Sequence, residues 1–255
     1  MSFRADSTCV ACCVAAANHE PRRDGRRPDL LLLHYTGMRS AAGAVDWLTR
    51  AESKVSCHYA VDEHGRITQM VPEDLRAWHA GVSYWAGEED INSCSIGIEI
   101  HNPGHQIDYW EFSPRQMAAV EALCVDIVRR NGIPPARVLG HSDVAPQRKD
   151  DPGEKFDWRR LAQAGVGLWV EPAPLLGDTG LDIGACGEDV QRLQERLRAI
   201  GYGIPISGAY DEVTRRVVLA FQRHWRQARA DGRAEASTLE TLARLETLLA
   251  RQTSR

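Results

Sequence analysis

The sequence predicts an α/β domain followed by a small helical domain. Residues 30–33 are all leucine, and an unbroken apolar run of this length is typical of a strand buried on both faces. Residues 95–100 alternate between isoleucine and other side chains, which predicts a second strand. Helical patterns lie between the predicted strands, and three more follow a segment rich in proline and glycine.

The composition is that of an ordinary globular protein. The chain has 255 residues, 43% of them hydrophobic and 26% charged, and is long enough for one large and one small domain. A formal net charge of -4 gives no electrostatic reason to expect nucleic acid or an anionic membrane as a partner. No run approaches the roughly 18 apolar residues of a membrane span, so we expect none.

Two features predict a cytoplasmic location. Residues 1–17 lack the basic segment and the long apolar core of a secretory signal. The seven cysteines are odd in number and scattered, which predicts reduced thiols rather than a disulfide framework. A periplasmic location stays open as the alternative.

The first predicted strand ends in His34 and Tyr35. A side chain able to bind a metal at the end of a central strand is well placed for a site, although a core histidine bonded to backbone is the alternative. A helix follows over residues 41–51, with Ala44, Trp47 and Leu48 on one face. Residues 58–61 and 66–71 flank a turn that ends in glycine, which predicts a hairpin.

Aromatic residues cluster in the loop that comes next. Trp78, His79, Tyr84 and Trp85 would form a binding wall for sugar or peptide, or would cover an edge of the sheet. Glu99 lies in the centre of the second apolar strand. A carboxylate there is costly unless it is paired or faces a wet cleft, so this residue is a functional candidate, with a buried ion pair as the alternative.

A long helix with clear boundaries precedes the last predicted strand. Ser113 is a plausible N-cap, Pro114 fits the first turn, Gln116 is placed to close a capping box, and Gly132 ends the helix. A short strand over residues 137–140 then delivers the next histidine.

Residues 140–153 hold an imidazole, an ammonium and several carboxylates, supplied by His141, Lys149, Asp150 and Asp151 among others. Prolines and a glycine argue against a helix, so the segment is predicted to be a loop. Imidazole and carboxylate are good zinc ligands, and a nearby ammonium could stabilise negative charge beside the metal. Taken alone, an ordinary charged loop is an equal interpretation.

The C-terminal third is predicted to be a binding or docking module. We divide the chain into residues 1–175, a linker over 176–188, and a helical domain over 189–255. Asp211 is a predicted N-cap for the second helix, and Ser237 with Glu240 a predicted capping box for the third. No cluster of catalytic residue types occurs in this part.

Five motifs, in order, resemble those of zinc-dependent N-acetylmuramoyl-L-alanine amidases, which belong to the superfamily of peptidoglycan recognition proteins. The resemblance covers about residues 17–170, and residues 190–222 resemble the three-helix peptidoglycan-binding domain often attached to cell-wall hydrolases. The amidase motifs lie at residues 33–37, 56–59, 78–81, 95–100 and 140–143.

The resemblance implies a mixed β-sheet flanked by helices, with zinc in a cleft at one edge. By motif position the ligands fall on His34, His141 and Asp151, although Asp150 is a competing carboxylate. The catalytic glutamate and lysine fall on Glu99 and Lys149. In some relatives a tyrosine stands where this chain has a cysteine at position 57, and those relatives lack the glutamate, so the variant that carries glutamate applies here.

The implied reaction is hydrolysis of the amide bond between the lactyl group of N-acetylmuramic acid and L-alanine. Combined with the expected cytoplasmic location, it predicts action on 1,6-anhydro-muropeptides during cell-wall recycling. Polymeric peptidoglycan in the periplasm, or binding of muropeptides without cleavage, are the alternatives. Substrate contacts are expected from five residues near the motifs: Tyr35, His58, Trp78, His79 and Asn102. For His58, His79 and Asn102, support of the metal ligands is the alternative.

Overall fold

The computed structural model describes residues 3–175, 177 and 179–253. The described strands are β1 (Cys12–Cys13), β2 (His19–Pro21), β3 (Leu30–Tyr35), β4 (Tyr59–Val61), β5 (Ile67–Gln69), β6 (Leu75–Ala77), β7 (Ser95–Ile100), β8 (Val138–Gly140), β9 (Gly180–Leu181) and β10 (Ala234–Glu235). The described helices are α1 (Ala41–Thr49), α2 (Ile91–Cys94), α3 (Pro114–Asn131), α4 (His141–Val144), α5 (Trp158–Gln163), α6 (Glu188–Ile200), α7 (Glu212–Trp225) and α8 (Ala236–Thr253).

Six strands form a mixed sheet in the order β1-β5-β4-β7-β3-β8. β3 runs parallel to β7 and β8, whereas β4 and β5 form an antiparallel hairpin in which Val61 pairs with Ile67. These observations confirm the predicted mixed sheet and the hairpin. The central strand β3 brings His34 into register with Glu99 on β7. The two side chains therefore come from adjacent strands at one end of the sheet.

The leucine run of β3 is buried on both faces, as predicted. Leu31 and Leu33 belong to a core that includes the inner face of α3, and both have no exposed surface. Leu30 and Leu32 point the other way and join a second core that also contains side chains of α6, α7 and α8. The sheet therefore separates one core of its own from another that it shares with the helical domain.

The boundaries of α3 agree with the sequence, except for the capping box. Ser113 Oγ accepts a hydrogen bond from the backbone of Gln116 at 3.1 Å, and Gly132 ends the helix with φ +67°. The Gln116 side chain does not turn back to the N-cap. It donates instead to the carbonyl oxygen of His101 at 2.8 Å, so the predicted box is wrong.

Three further local predictions are corrected. Residues 140–153 are not entirely loop, because α4 makes one helical turn directly after β8. Ser237 lies inside α8, where its hydroxyl donates to the carbonyl of Ala173, so it does not cap that helix. Trp47 does not share the buried face of α1, since 42% of its surface is exposed.

The C-terminal residues form three helices and a two-stranded ribbon of β9 and β10. Asp211 caps α7, as predicted, by accepting from Thr214 N at 2.9 Å. The predicted linker, 176–188, contains β9, while positions 176 and 178 lie outside the described residues. The division into domains at residues 175 and 189 stays a prediction.

The helical domain packs directly on the sheet domain. Trp85 is 4% exposed and meets Tyr202 edge to face, with ring centroids 5.0 Å apart. Tyr84 lies against Gly203, where an added Cβ would come within 3.0 Å of the ring. These two aromatic residues, which the sequence left between a binding wall and an edge cover, thus lie at the contact between domains. Within the described residues, no helix is long and apolar enough to cross a membrane.

Candidate active site

Three ligand atoms converge at the end of β3. His34 Nδ1 and His141 Nδ1 lie 2.9 Å apart, and Asp151 Oδ2 lies 3.1 Å from each of them. All three residues are at least 95% buried. β3 supplies His34, the first turn of α4 supplies His141, and Asp151 precedes Pro152 in the following loop. His34 thus meets His141, which is 107 positions away in the sequence, and Asp151, which is 117 positions away.

The hydrogen bonds of the two Nε2 atoms, on the far side of each ring from the cluster, show which nitrogen carries a proton. His141 Nε2 lies 2.9 Å from the carbonyl oxygen of Ala80, which can only accept, so Nε2 carries the proton. Ser95 Oγ donates to Ile91 O at 2.6 Å and therefore accepts from His79 Nε2 at 3.3 Å. His79 Nδ1 then accepts from His34 Nε2 at 3.0 Å.

In the neutral ring this proton position leaves Nδ1 of each histidine unprotonated, and both Nδ1 atoms face a carboxylate oxygen. Burial, assisted by His141, lowers the pKa of His34 to about 4, so the imidazole is neutral at neutral pH. Three lone pairs directed at one point repel one another unless a cation lies between them. Among the described residues, this cluster is the one group of donors placed to hold a metal ion, and its outer hydrogen bonds are those expected of metal-bound histidines.

A cleft of about 330 Å³ opens beside these ligands. Glu99 and Lys149 both line the cleft. Glu99 Oε2 is buried and has no hydrogen-bond partner among the described residues, and no ion pair of Lys149 occurs among them either. Burial, together with the Asp151 carboxylate, raises the pKa of Glu99 well above its usual value. The buried ion pair considered for Glu99 from the sequence is therefore absent from the described structure.

The neighbouring carboxylate, Asp150, also lines the cleft but is paired with α7 rather than with the two histidines. Its Oδ1 lies 2.6 Å from Arg223 and 3.1 Å from Arg216, both on α7. Those two guanidinium groups occupy the carboxylate, whereas Asp151 lies in contact with both histidines. The geometry thus distinguishes the two carboxylates that the sequence left in competition.

The five residues expected at the substrate divide into two groups. Tyr35, Trp78 and His79 line the cleft, and the buried Trp78 Nε1 has no hydrogen-bond partner among the described residues. His58 and Asn102 are fully buried and outside the cleft, so they do not fit substrate contact.

His58 and Asn102 instead bond to the backbone around the cleft. His58 Nδ1 accepts from Gly97 N at 3.0 Å, while Asn102 Nδ2 donates to Trp110 O at 2.9 Å. Each therefore supports the shape of the surrounding chain. Cys57 is also fully buried, so it packs in the interior beside these residues.

Some residues at the site were not singled out from the sequence. Trp47 lines the cleft from α1, and Arg148 lines it while donating to Val82 O at 2.9 Å. Gly97 leaves room for the His79 ring, since an added Cβ would lie 2.6 Å from Nδ1. A glycine inside a strand signals such a close approach, so Gly97 could have been found from the sequence.

The arrangement defines a class of protein. Two histidines and an aspartate able to hold a metal, with a free carboxylate and a free ammonium in the same cleft, constitute the machinery of a metal-dependent hydrolase. Residues 24–154 match the family described as N-acetylmuramoyl-L-alanine amidase, and residues 186–242 match the putative peptidoglycan binding domain. The chain belongs to the N-acetylmuramoyl-L-alanine amidase family and is an amidase.

Similar proteins support this assignment. The chain is 38% identical to N-acetylmuramoyl-L-alanine amidase AmiD of Escherichia coli over 224 residues, which cover 83% of this chain and 80% of the relative. It is 33% identical to the 1,6-anhydro-N-acetylmuramyl-L-alanine amidase AmpD of the same species, over 58% of this chain and 88% of the relative.

Solved structures agree with the sequence matches. The complex of AmiD from E. coli with anhydro-N-acetylmuramic acid-L-Ala-D-gamma-Glu-L-Lys has a TM-score of 0.74 and 35% identity, and covers 89% of this chain and 91% of that one. AmpDh3 from Pseudomonas aeruginosa, in complex with an anhydromuramic pentapeptide, has a TM-score of 0.72 and 29% identity, and covers 87% and 92%.

Proposed function

We propose that the protein is a zinc amidase that cleaves the bond between the lactyl group of N-acetylmuramic acid and L-alanine in muropeptides. The observation that carries the proposal is the convergence of two imidazole nitrogens and one carboxylate oxygen beside Glu99, whose Oε2 has no hydrogen-bond partner among the described residues. Two imidazoles and one carboxylate suit zinc, and three protein ligands are the number found at catalytic rather than structural zinc sites.

Each residue then has a defined task. When bound, zinc lowers the pKa of water to roughly 7 and polarises a carbonyl. The charge of the bound cation would favour the ionised form of Glu99, which would accept the proton of the attacking water and later deliver it to the departing amine of L-alanine. The Lys149 ammonium would stabilise negative charge on the carbonyl oxygen, a contribution whose loss typically costs about 100- to 1,000-fold in rate.

The cleft also offers groups for recognition of the muropeptide. Tyr35, Trp78 and the partly exposed Trp47 supply aromatic surface, on which a sugar ring or the stem peptide would pack. The Trp78 N–H would donate to a substrate oxygen. We assign no substrate contact to His58 or Asn102.

We further propose that the substrate is a 1,6-anhydro-muropeptide and that the protein acts in the cytoplasm. The names of AmpD and of the bound substrate of AmiD support the first part, because both specify the anhydro sugar. All seven cysteines are free, which suits a reducing compartment and supports the second. Action on polymeric peptidoglycan in the periplasm is the competing proposal.

The test compares two substrates. Zinc-loaded protein is incubated with a disaccharide 1,6-anhydro-muropeptide and, in parallel, with intact sacculi, and free stem peptide is measured by mass spectrometry. We expect release from the soluble substrate alone. Comparable release from sacculi would favour the periplasmic alternative, and no release from either, with zinc present, would identify a non-catalytic binder.

A further inference from the structure

The catalytic loop, residues 140–154, carries His141, Lys149 and Asp151 on the side of the cleft. Three other acidic side chains of this loop do not contribute to the ligand cluster. All three contact the helical domain, and they are Asp143, Asp150 and Glu154. The proposed amidase chemistry uses none of them, so their partners call for another explanation.

Asp143 lies two residues after the ligand His141 and is fully buried. Its Oδ2 accepts from Gly140 N at 2.8 Å, which fixes the start of α4. The remaining bonds come from the helical domain, since Tyr202 OH donates to Oδ1 at 2.7 Å and His224 Nδ1 lies 2.7 Å from Oδ2. The His224 ring is stacked between two tryptophan rings, at centroid distances of 3.8 and 4.0 Å.

Asp150 directly precedes the ligand Asp151 and is paired with two arginines of α7. Arg223 lies 2.6 Å from Asp150 Oδ1 and also contacts Glu154 Oε2 at 3.3 Å. Arg216, two helical turns earlier on α7, lies 3.1 Å from the same Oδ1 and donates to the carbonyl of Pro146. The Arg223 side chain is only 11% exposed, so water weakens its ion pairs less than those at an open surface.

We propose that the helical domain positions the catalytic loop for metal binding and turnover, with Arg223 acting through Asp150. Asp150 and Asp151 share a peptide bond, and Lys149 precedes them, so fixing Asp150 restricts where the ligand oxygen and the ammonium lie. Arg223 is a positioning residue, since it belongs to a different domain and does not line the cleft. The inference rests on the proposed zinc-dependent activity.

The test uses full-length Arg223→Gln. Loss of a side chain that orients metal ligands typically costs about 10- to 100-fold in metal affinity or activity. We expect the zinc Kd, measured by competition with a chromophoric chelator, to rise at least tenfold, and kcat to fall while KM stays within twofold. Arg215→Gln is the matched control, because Arg215 lies on the same helix but, within the described part of the chain, forms an ion pair with Glu212 alone, at the surface.

Two further variants separate positioning from general stability. Asp150→Asn removes the partner of Arg223 from the loop side, and it should reproduce the change in zinc Kd. The double variant should lose less than the product of the two single losses, because both single changes remove the pair between Arg223 and Asp150, while the contacts of Arg223 with Glu154 and of Arg216 with Asp150 are each lost in only one of them. Arg223→Lys, which keeps the charge, should recover part of the lost affinity. Independent, multiplicative losses in the double variant would overturn the inference.

The outcomes distinguish this inference from the proposed function. Zinc affinity is read without substrate, so a wild-type protein that binds zinc tightly but cleaves nothing would contradict the proposed function alone. An Arg223→Gln protein with wild-type zinc Kd and wild-type kcat would contradict the positioning role. If Arg223→Gln unfolds at lower temperature, the folded Asp150→Asn protein supplies the decisive zinc titration.

Discussion

Glu99 is the single residue whose replacement is expected to separate metal binding from turnover. Its carboxylate lies in the cleft in register with His34, but it is not one of the three ligand groups. Glu99→Gln keeps the shape and removes the proton acceptor. We expect the rate to fall about 100- to 10,000-fold, with the zinc content unchanged.

Turnover by mass spectrometry and bound zinc by elemental analysis would be measured on the same preparation. Glu111→Gln is the control, because that side chain is 76% exposed and makes only a 3.8 Å contact with Lys155. Full activity of Glu99→Gln would remove this residue from the mechanism. Loss of zinc would instead make it a ligand.

At this scale the sequence predicts much of the site, because its signals are local. His34 ends an apolar strand and Glu99 interrupts another, so both stand out as polar, titratable side chains next to apolar ones. Trp47 and Arg148 gave no such signal, since an amphipathic helix and a charged loop normally contain residues of those types. Only the folded chain shows that both line the cleft.

Strand β7 shows how an element makes room for the site. Gly97 lies at its centre, and the space where a Cβ would be is filled by the His79 ring. Gly97→Ala should displace that ring, so His34 Nε2 would lose its acceptor. Overpacking of this kind costs roughly 1–3 kcal/mol of stability, and we expect weaker zinc binding as well.

The measurement is a zinc titration combined with urea unfolding. Ser95→Ala serves as the comparison, because it removes the other partner of His79 without adding volume, and it should weaken zinc binding less than Gly97→Ala. Wild-type zinc affinity in Gly97→Ala would show that the His79 contact does not orient the ligand.

Predictions of helices and loops failed where contacts between residues distant in sequence override the local conformational preference of the chain. Prolines at positions 146 and 152 favour a loop, yet α4 forms before them because Asp143 caps its start and α7 packs on it. Ser237 has the spacing of a capping residue, but Ala173 offers its carbonyl to that hydroxyl. Helix α7 and Ala173 are both far from these segments in sequence, so no local pattern could reveal their contacts, whereas the bond between Gly140 and Asp143 spans only three positions.

For the whole molecule, the shared core predicts that the two domains unfold together. Leu32 of the sheet and Val217 of α7 belong to the same buried cluster. Leu32→Ala and Val217→Ala should therefore lower the same single Tm. Truncation of a buried leucine typically costs about 2–5 kcal/mol, or roughly 4–20 °C in a chain of this size.

Calorimetry of the metal-free protein would measure this. Val82→Ala is the control, because Val82 is 88% exposed and its truncation should leave Tm unchanged. Two separate transitions, with only one moved by each variant, would contradict a shared core. The sequence indicated two domains but not their contact, because partners such as Asp143 and His224 are 81 positions apart.

The buried face of β3 that carries Leu30 and Leu32 limits whether the sheet domain and the helical domain can be exchanged independently. Leu30 and Leu32 belong to a buried cluster to which both the sheet domain and the helical domain contribute side chains. A fragment cut between the halves would expose apolar side chains of this shared cluster to water and tend to self-associate. Grafting a foreign wall-binding module onto this amidase would therefore require redesign of the surface beneath it.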